Sequence, residues 1–178
     1  MERKHGLHNW FILPVIIYII IYALYSASFL TRFPFVHSDE AWLAGLSRDM
    51  QAVGSFGVTE QFFDLKPRVP HALKLLFHAL QMGYIHVFGY NILSVRLLSL
   101  TSGLICLILL YYIGKELGGR WMGFGLMVLV SLDVPFIYAS HFGRQEIILC
   151  ISLLSCILQG LRKTAEKLVG SFSTGVFA

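Results

Sequence analysis

Two adjacent carboxylates, Asp39 and Glu40, are the residues of this chain whose position best suits chemistry. They follow a long apolar run, Trp10 to Leu30, so we expect them at or just above a membrane surface. A carboxylate there can take a proton from an attacking hydroxyl group. Its neighbour could orient an acceptor or bind a divalent metal such as Mg²⁺ or Mn²⁺, which prefer oxygen ligands. The alternative is that both acids only stabilise the first turn of a helix, where negative charge suits the helix dipole.

Basic residues at the same membrane face would complete a polar cleft. A cationic side chain can hold a lipid phosphate through charge-assisted hydrogen bonds. The candidate substrate-binding residues are Lys66, Arg68, Arg96, Arg144 and Glu146. The alternatives are that the two loop cations anchor the loop to lipid headgroups, and that the two arginines at the ends of membrane spans snorkel to the interface.

The composition indicates a membrane protein. The chain has 178 residues, of which 56% are hydrophobic and 13% are charged, whereas soluble domains carry roughly 25% charged residues. The net charge of +4 comes from scattered basic residues, which do not form the one-faced cluster of a nucleic-acid binder. We therefore expect no nucleic-acid partner. The three cysteines lie in apolar runs, which favours thiols that face lipid or core over disulfides or a metal cluster.

The apolar runs predict an all-α fold, a polytopic membrane helical bundle with interfacial amphipathic helices in its first outer loop. The run from Trp10 to Leu30 covers roughly 30 Å at 1.5 Å per residue, the thickness of the hydrocarbon layer. The N-terminal cations hold the start of the chain in the cytoplasm, which places the loop 31–92 outside the cell membrane. The predicted membrane domain covers residues 1–161, with spans at about 10–30, 93–114, 121–138 and 146–161. Residues 162–178 are predicted to form a cytoplasmic tail.

The first interfacial helix of the outer loop should contain the acid pair. Ser38 can cap this helix, with both acids in its first turn. Its apolar residues recur along one face, which is typical of an amphipathic helix lying on a membrane. These apolar residues are Trp42, Leu46, Met50 and Val53.

The second loop helix, His71 to Phe88, is almost long enough to span a bilayer. It carries a polar stripe at spacings of three and four residues, formed by His71, Lys74, His78 and Gln81. Such a stripe suits a surface helix better than a lipid-facing span, and the positive-inside rule favours the same placement. The chain would then cross the membrane four times, with both termini in the cytoplasm.

Other polar residues in the apolar runs have simpler interpretations. Asp133, just before Val134 and Pro135, lies inside a predicted span, where a charge needs a polar partner. We expect a structural ion pair between Asp133 and Arg144. The histidines are spaced too loosely to predict a metal site.

Several short motifs occur in an order that is typical of one enzyme family. They are Asp39-Glu40, Lys66-Pro67, Phe88-Gly89, Arg96-Leu97-Leu98-Ser99 and Arg144-Gln145-Glu146. Their order and spacing resemble GT-C class glycosyltransferases related to protein O-mannosyltransferases and aminoarabinose lipid A transferases. The resemblance covers roughly Trp10 to Leu161. Two departures matter: Arg68 stands where the family usually has a second proline, and family members run to several hundred residues with many more spans.

The resemblance implies transfer of a sugar from a polyprenyl-phosphate donor to an acceptor hydroxyl on a glycan, lipid or protein at the outer membrane face. Asp39 would be the catalytic base, with Glu40 secondary. Lys66 and Arg96 would contact the donor phosphate, and Glu146 would be a second acidic site residue. In that family later spans enclose the lipid carrier. We therefore expect weak or no turnover from this chain alone.

Two other functions fit the same sequence. A non-catalytic membrane scaffold, subunit or enzyme remnant would use the helices only to hold a partner. A small transporter would need discontinuous spans and central binding residues, and Asp133 is the only central candidate that the sequence offers.

Overall fold

The computed structural model describes the backbone of residues 12–58 and 74–175, and the side chains of these residues up to position 166. Within these ranges the secondary structure is entirely helical, which confirms the all-α prediction there. The helices are α1 (Ile12–Phe29), α2 (Ser38–Val53), α3 (Leu75–Phe88), α4 (Ile92–Gly118), α5 (Arg120–Ser131), α6 (Val134–His141) and α7 (Glu146–Gly175). Five residues discussed above lie outside the described ranges: Trp10, Lys66, Pro67, Arg68 and His71.

Three helices, α1, α4 and α7, are long and apolar enough to cross a membrane. A fourth crossing is formed if α5 and α6, which are bent by 71° at a short break, count as one span. Only 17% of the most apolar window of α1, and the same share of that of α7, is buried inside the protein. The outward surface of α1 is strongly apolar, with exposed Ile16, Ile20 and Leu24. Such a surface suits a hydrocarbon environment.

α4 is the helix against which most of the others pack. More than half of its most apolar window is buried, and it contacts α1, α3, α5, α6 and α7. Asn91 and Ser94 form a capping box that fixes its first turn. Two apolar clusters lie along it. One joins it to α1 and α5 through Val15, Leu107, Tyr111 and Met127, and the other joins it to α2, α3 and α7 through Leu43, Phe77, Leu98, Cys106 and Ile147.

α5 and α6 run back along α4 from its last turn to its first. Small residues mark the path, because a Cβ atom added at Gly114 would lie 2.7 Å from the Cα atom of Gly123. Further along, a Cβ atom added at Gly103 would lie 2.6 Å from the Cβ atom of Ser140. α5 therefore begins beside the C-terminal end of α4, and the loop after α6 lies beside the N-terminal end of α4. α5 and α6 together thus run along most of the length of α4.

The break between α5 and α6 lies within the predicted span at 121–138, and it corrects the predicted pair between Asp133 and Arg144. Asp133 is the N-cap of α6, and its Oδ2 atom accepts a hydrogen bond from the Phe136 amide at 3.2 Å. Pro135 fits in the first turn of α6, where its missing N–H costs no intrahelical bond. The polar partner of Asp133 is thus a backbone amide in the first turn of α6, not the side chain of Arg144.

α7 also differs from its prediction, because it runs from Glu146 to Gly175 without a break. The predicted tail at 162–178 is therefore continuous with the last span over its described part. Near this end, Arg162 donates to Glu116 of α4 at 3.4 Å. This contact joins α7 to α4 at the end of α4 far from the acid pair.

Replacing Gly123 by alanine should destabilise the protein, whereas replacing Gly125 should not. A Cβ atom at Gly123 would collide with the backbone carbonyl of Tyr111, while one at Gly125 meets nothing within 4 Å. Overpacking of this kind costs about 1–3 kcal/mol, but an unhindered glycine-to-alanine change in a helix is stabilising by about 0.5–1 kcal/mol. Thermal unfolding in an uncharged detergent measures the stability of the Gly123→Ala and Gly125→Ala variants. Equal transition temperatures for the two variants would show that α4 and α5 do not pack at this glycine contact.

Candidate functional site

The acid pair lies in the first turn of α2, as expected, but the cap of this helix differs from the prediction. His37 is the N-cap, and its Nδ1 atom accepts a hydrogen bond from the Asp39 amide at 3.3 Å. Ser38 is the first helical residue. Because successive residues of a helix are about 100° apart, Asp39 and Glu40 point into different surroundings.

Glu40 points into the protein and forms an ion pair with Arg96, the fifth residue of α4. Arg96 Nε donates to Glu40 Oε1 at 2.8 Å, and Arg96 Nη2 donates to Glu40 Oε2 at 2.8 Å. Arg96 Nη1 donates to the carbonyl oxygen of Leu30 at 2.8 Å. The backbone amide of Gly143 donates to Glu40 Oε1 at 2.9 Å. The pair is enclosed, since Glu40 is 2% exposed and Arg96 is fully buried.

This burial corrects the expectations for both side chains. A secondary catalytic role for Glu40, or a metal-ligand role, would require carboxylate oxygens that face a substrate or solvent. Direct contact between Arg96 and a phosphate would require an exposed guanidinium group. The same burial excludes the alternative that Arg96 snorkels to the interface. We interpret Glu40 and Arg96 as positioning residues.

Asp39 faces outward and lies beside the residues that begin α7. Arg144 Nη2 lies 3.6 Å from Asp39 Oδ2 and 2.9 Å from Glu146 Oε1. His37 Nδ1 lies 3.9 Å from Asp39 Oδ1. The side chains of Asp39, Arg144 and Glu146 are each between 41% and 46% exposed. The structure thus brings together three of the predicted site residues on an accessible surface.

The loop that carries Arg144 is held by the buried pair. Gly143 has no space for a side chain, because an added Cβ atom would collide with Val95 and lie 3.1 Å from Glu40 Oε1. The ring of Phe142 lies against the Arg96 guanidinium group. The Cζ atom of Arg96 is 5.8 Å from the centroid of this ring. Sequence reasoning missed both loop residues. The signal that could have found Gly143 is its place between the last apolar helix residues and the Arg-x-Glu motif.

Two members of the polar stripe of α3, His78 and Gln81, face α2, although the stripe was interpreted as the sign of a helix lying on the membrane surface. His78 Nδ1 lies 2.7 Å from Ser47 Oγ, and Ser47 Oγ donates to Gln81 Oε1 at 2.5 Å. All three side chains are fully buried. The predicted apolar face of α2 also differs, because Leu46 and Met50 are buried while Val53 is 70% exposed. Helix α2 is therefore buried on a face shared with α3.

The described residues do not fit a divalent metal at the acid pair. Among residues 12–58 and 74–166, no three His, Cys, Asp or Glu side chains converge as a ligand group. Both Glu40 oxygens accept hydrogen bonds from Arg96, and Asp39 faces the cation of Arg144. A second cation at Asp39 would meet the guanidinium charge.

Comparisons of the chain with protein-family models, with curated proteins and with solved structures found no match. The functional assignment therefore depends on the geometry of the described residues and on the motif order.

Replacing Glu40 by glutamine should be strongly destabilising, whereas Asp39→Asn should be mild. Removing one partner of a buried ion pair leaves the other charge uncompensated and costs about 3–5 kcal/mol. An exposed pair such as Asp39 with Arg144 contributes only about 0–1 kcal/mol. Unfolding of the purified protein in an uncharged detergent compares the two. If Glu40→Gln unfolds at the same midpoint as Asp39→Asn, the buried pair does not stabilise this end of the bundle.

Proposed function

We propose that this chain is a multi-pass protein of the cell membrane with its Asp39 end on the extracytoplasmic side. Along α4, Arg96 and Glu116 are about 30 Å apart at 1.5 Å per residue, which matches the hydrocarbon thickness. The far end of the bundle carries most of the basic residues near span ends, namely Lys115, Arg120, Arg162 and Lys163. The positive-inside rule assigns that end to the cytoplasm.

At the opposite end, we propose that the chain works as a membrane glycosyltransferase. It would move a sugar from a polyprenyl-phosphate donor to an acceptor hydroxyl. The observation that carries the proposal is the exposed carboxylate of Asp39, which lies beside Arg144 and Glu146 and is backed by the buried Glu40–Arg96 pair. The motif order of the GT-C class supports the same assignment.

Asp39 acts as the general base in this proposal. Its carboxylate takes the proton of the acceptor hydroxyl while the acceptor oxygen forms a bond to the anomeric carbon of the sugar. The bond between that carbon and the phosphate oxygen breaks, and the polyprenyl phosphate leaves with the electron pair. The proton on Asp39 then passes to water. No oxidant, reductant or metal is needed to balance the step.

Arg144 and Glu146 position this base. The guanidinium group of Arg144 lies 3.6 Å from Asp39 Oδ2 and holds the carboxylate beside the start of α7. Glu146 holds the same Nη2 atom at 2.9 Å and so fixes where the positive charge lies. The charge of Arg144 can also attract the anionic donor to the accessible surface.

A second function, a non-catalytic scaffold, is supported by the same contact. Arg144 bridges a carboxylate of α2 and a carboxylate of α7, as a structural clasp between two helices would. In that case Asp39 contributes to folding alone. The scaffold and the enzyme differ in the effect of a change that keeps the shape of Asp39 and removes its charge.

The decisive variant is Asp39→Asn, made in the cells that produce the protein so that all its membrane partners are present. Loss of a general base lowers the rate by about 10²–10⁴, and the exposed position of Asp39 predicts normal insertion and abundance. The assay measures transfer from polyprenyl phosphates that carry labelled hexose or pentose. Supplying membrane glycans as acceptors only outside right-side-out vesicles tests the proposed sidedness in the same experiment.

Asp49→Asn is the matched control, because Asp49 is an exposed acid of the same helix that pairs with its neighbour Arg48 at 2.9 Å. We expect transfer by this variant to equal that of the wild type. If Asp39→Asn transfers sugar as fast as the wild type does, the role of Asp39 as catalytic base is contradicted and the scaffold function is favoured. No transfer to acceptors outside the vesicles, with transfer restored when the vesicles are opened by detergent, would contradict the sidedness.

A further inference from the structure

Two cations from different helices lie over one aromatic ring at the end of the bundle far from Asp39. The Lys115 Nζ atom of α4 lies 5.8 Å from the centroid of the Tyr112 ring. The Arg162 Cζ atom of α7 lies 5.9 Å from the same centroid. We call the surface formed by Tyr112, Lys115, Glu116 and Arg162 the Tyr112 surface. It brings two positive charges together at the junction of α4 and α7.

The Tyr112 surface carries more positive than negative charge. Its one carboxylate, Glu116, accepts a hydrogen bond from Arg162 Nε at 3.4 Å. Among the described residues no carboxylate forms an ion pair with Lys115. An aromatic ring attracts a cation without neutralising it. The side chain of Arg162 is also 51% exposed, so an anion from outside the protein can reach both cations.

An exposed apolar stripe leads from the Tyr112 surface toward the middle of α4. Four residues at spacings of three and four lie on one face of this helix. They are Ile105, Ile108, Tyr112 and Lys115. Ile105 is 46% exposed and Ile108 is 39% exposed, and α4 is long and apolar enough to cross a membrane. An anion bound at Lys115 would therefore have an apolar surface beside it on the membrane side, which suits a phosphate that carries hydrocarbon chains.

A simpler interpretation is that Arg162 and Glu116 only clasp α7 to α4. In a clasp the carboxylate is the partner that the arginine needs. In an anion site the same carboxylate competes with the anion for Arg162. The two interpretations therefore predict opposite effects on anion binding when Glu116 loses its charge.

We propose that the Tyr112 surface binds the headgroup of an anionic phospholipid of the cytoplasmic leaflet. Lys115 and Arg162 donate to the phosphate oxygens from two helices, and a hydrocarbon chain lies along Ile108 and Ile105. Basic sites between membrane helices on the cytoplasmic side are known to bind such headgroups. Lipid binding here is independent of sugar transfer, and only the choice of leaflet rests on the orientation proposed above.

Native mass spectrometry of the purified protein in an uncharged detergent measures this binding by titration with dioctanoyl phosphatidylglycerol. Lys115→Gln and Arg162→Gln should each weaken the first binding event about 10-fold, because each removes a charged hydrogen bond to the phosphate. Lys115→Arg, which keeps the charge, should retain most of the binding. Lys163→Gln is the matched control, since Lys163 has the same charge at the same end but points about 100° away from Arg162 around α7. We expect that variant to bind as the wild type does.

Glu116→Gln separates the lipid site from the clasp. Removal of the competing carboxylate leaves Arg162 to the phosphate, so phosphatidylglycerol should bind more tightly to this variant than to the wild type. Unchanged or weaker binding in Glu116→Gln would contradict the proposal and favour the clasp.

Two further ligands test the role of charge and the source of the phosphate. Dioctanoyl phosphatidylcholine, whose headgroup has no net charge, should bind more weakly, and glycerol 3-phosphate should fail to displace the anionic lipid at equal concentration. Equal binding of the two lipids would overturn the proposal, as would equal binding of phosphatidylglycerol to the wild type and to Lys115→Gln. A loss in Lys163→Gln as large as that in Lys115→Gln would show a diffuse attraction of charge in place of a site. Displacement by glycerol 3-phosphate would show a site for free phosphate and would overturn the assignment to a lipid.

Discussion

The buried ion pair between Glu40 and Arg96 is the interaction on which this end of the molecule depends. Two charges inside an apolar bundle are costly to desolvate, and their attraction offsets this cost only when their hydrogen-bonding groups are satisfied. Here the pair is bidentate, and backbone groups of Leu30 and Gly143 complete it. It therefore ties the segment after α1, the start of α2, the start of α4 and the loop before α7 into one arrangement. Loss of either charge would loosen all of them together.

The accessible site follows from that constraint. The pair fixes Gly143, and the next residue, Arg144, then lies within reach of Asp39 and Glu146. Asp39 and Glu40 are neighbours in the chain, yet the helix turns one outward and the other inward. One carboxylate is thus exposed beside Arg144, while the other is buried and supports the loop that carries Arg144.

Part of this architecture could be predicted from the sequence, because long apolar runs set helix positions independently of context. The runs predicted α1 and α4 well, and the alternation of membrane sides indicated that Asp39, Arg144 and Glu146 lie at one end. Periodicity shows that a helix has a polar face, but it does not show what lies opposite that face. The stripe of α3 therefore predicted a helix on the membrane surface, although His78 and Gln81 of this stripe bind Ser47 of α2. The break at Asp133 has a local signal, a capping aspartate followed by Pro135 in the first turn of α6, which the apolar run conceals. The enclosure of Arg96, by contrast, depends on tertiary contacts that no local pattern encodes.

Amide hydrogen exchange of the loop 142–145 tests the central claim most directly, since the Gly143 amide is buried against Glu40 at 2.9 Å. In the wild type, the amides of this loop should exchange slowly. In Glu40→Gln, exchange there should rise well before that of the α5 amides, which serve as an internal reference. Glu116→Gln, at the far end of α4, should leave the loop unchanged. If the loop exchanges equally slowly in Glu40→Gln and in the wild type, the buried pair does not hold the site together.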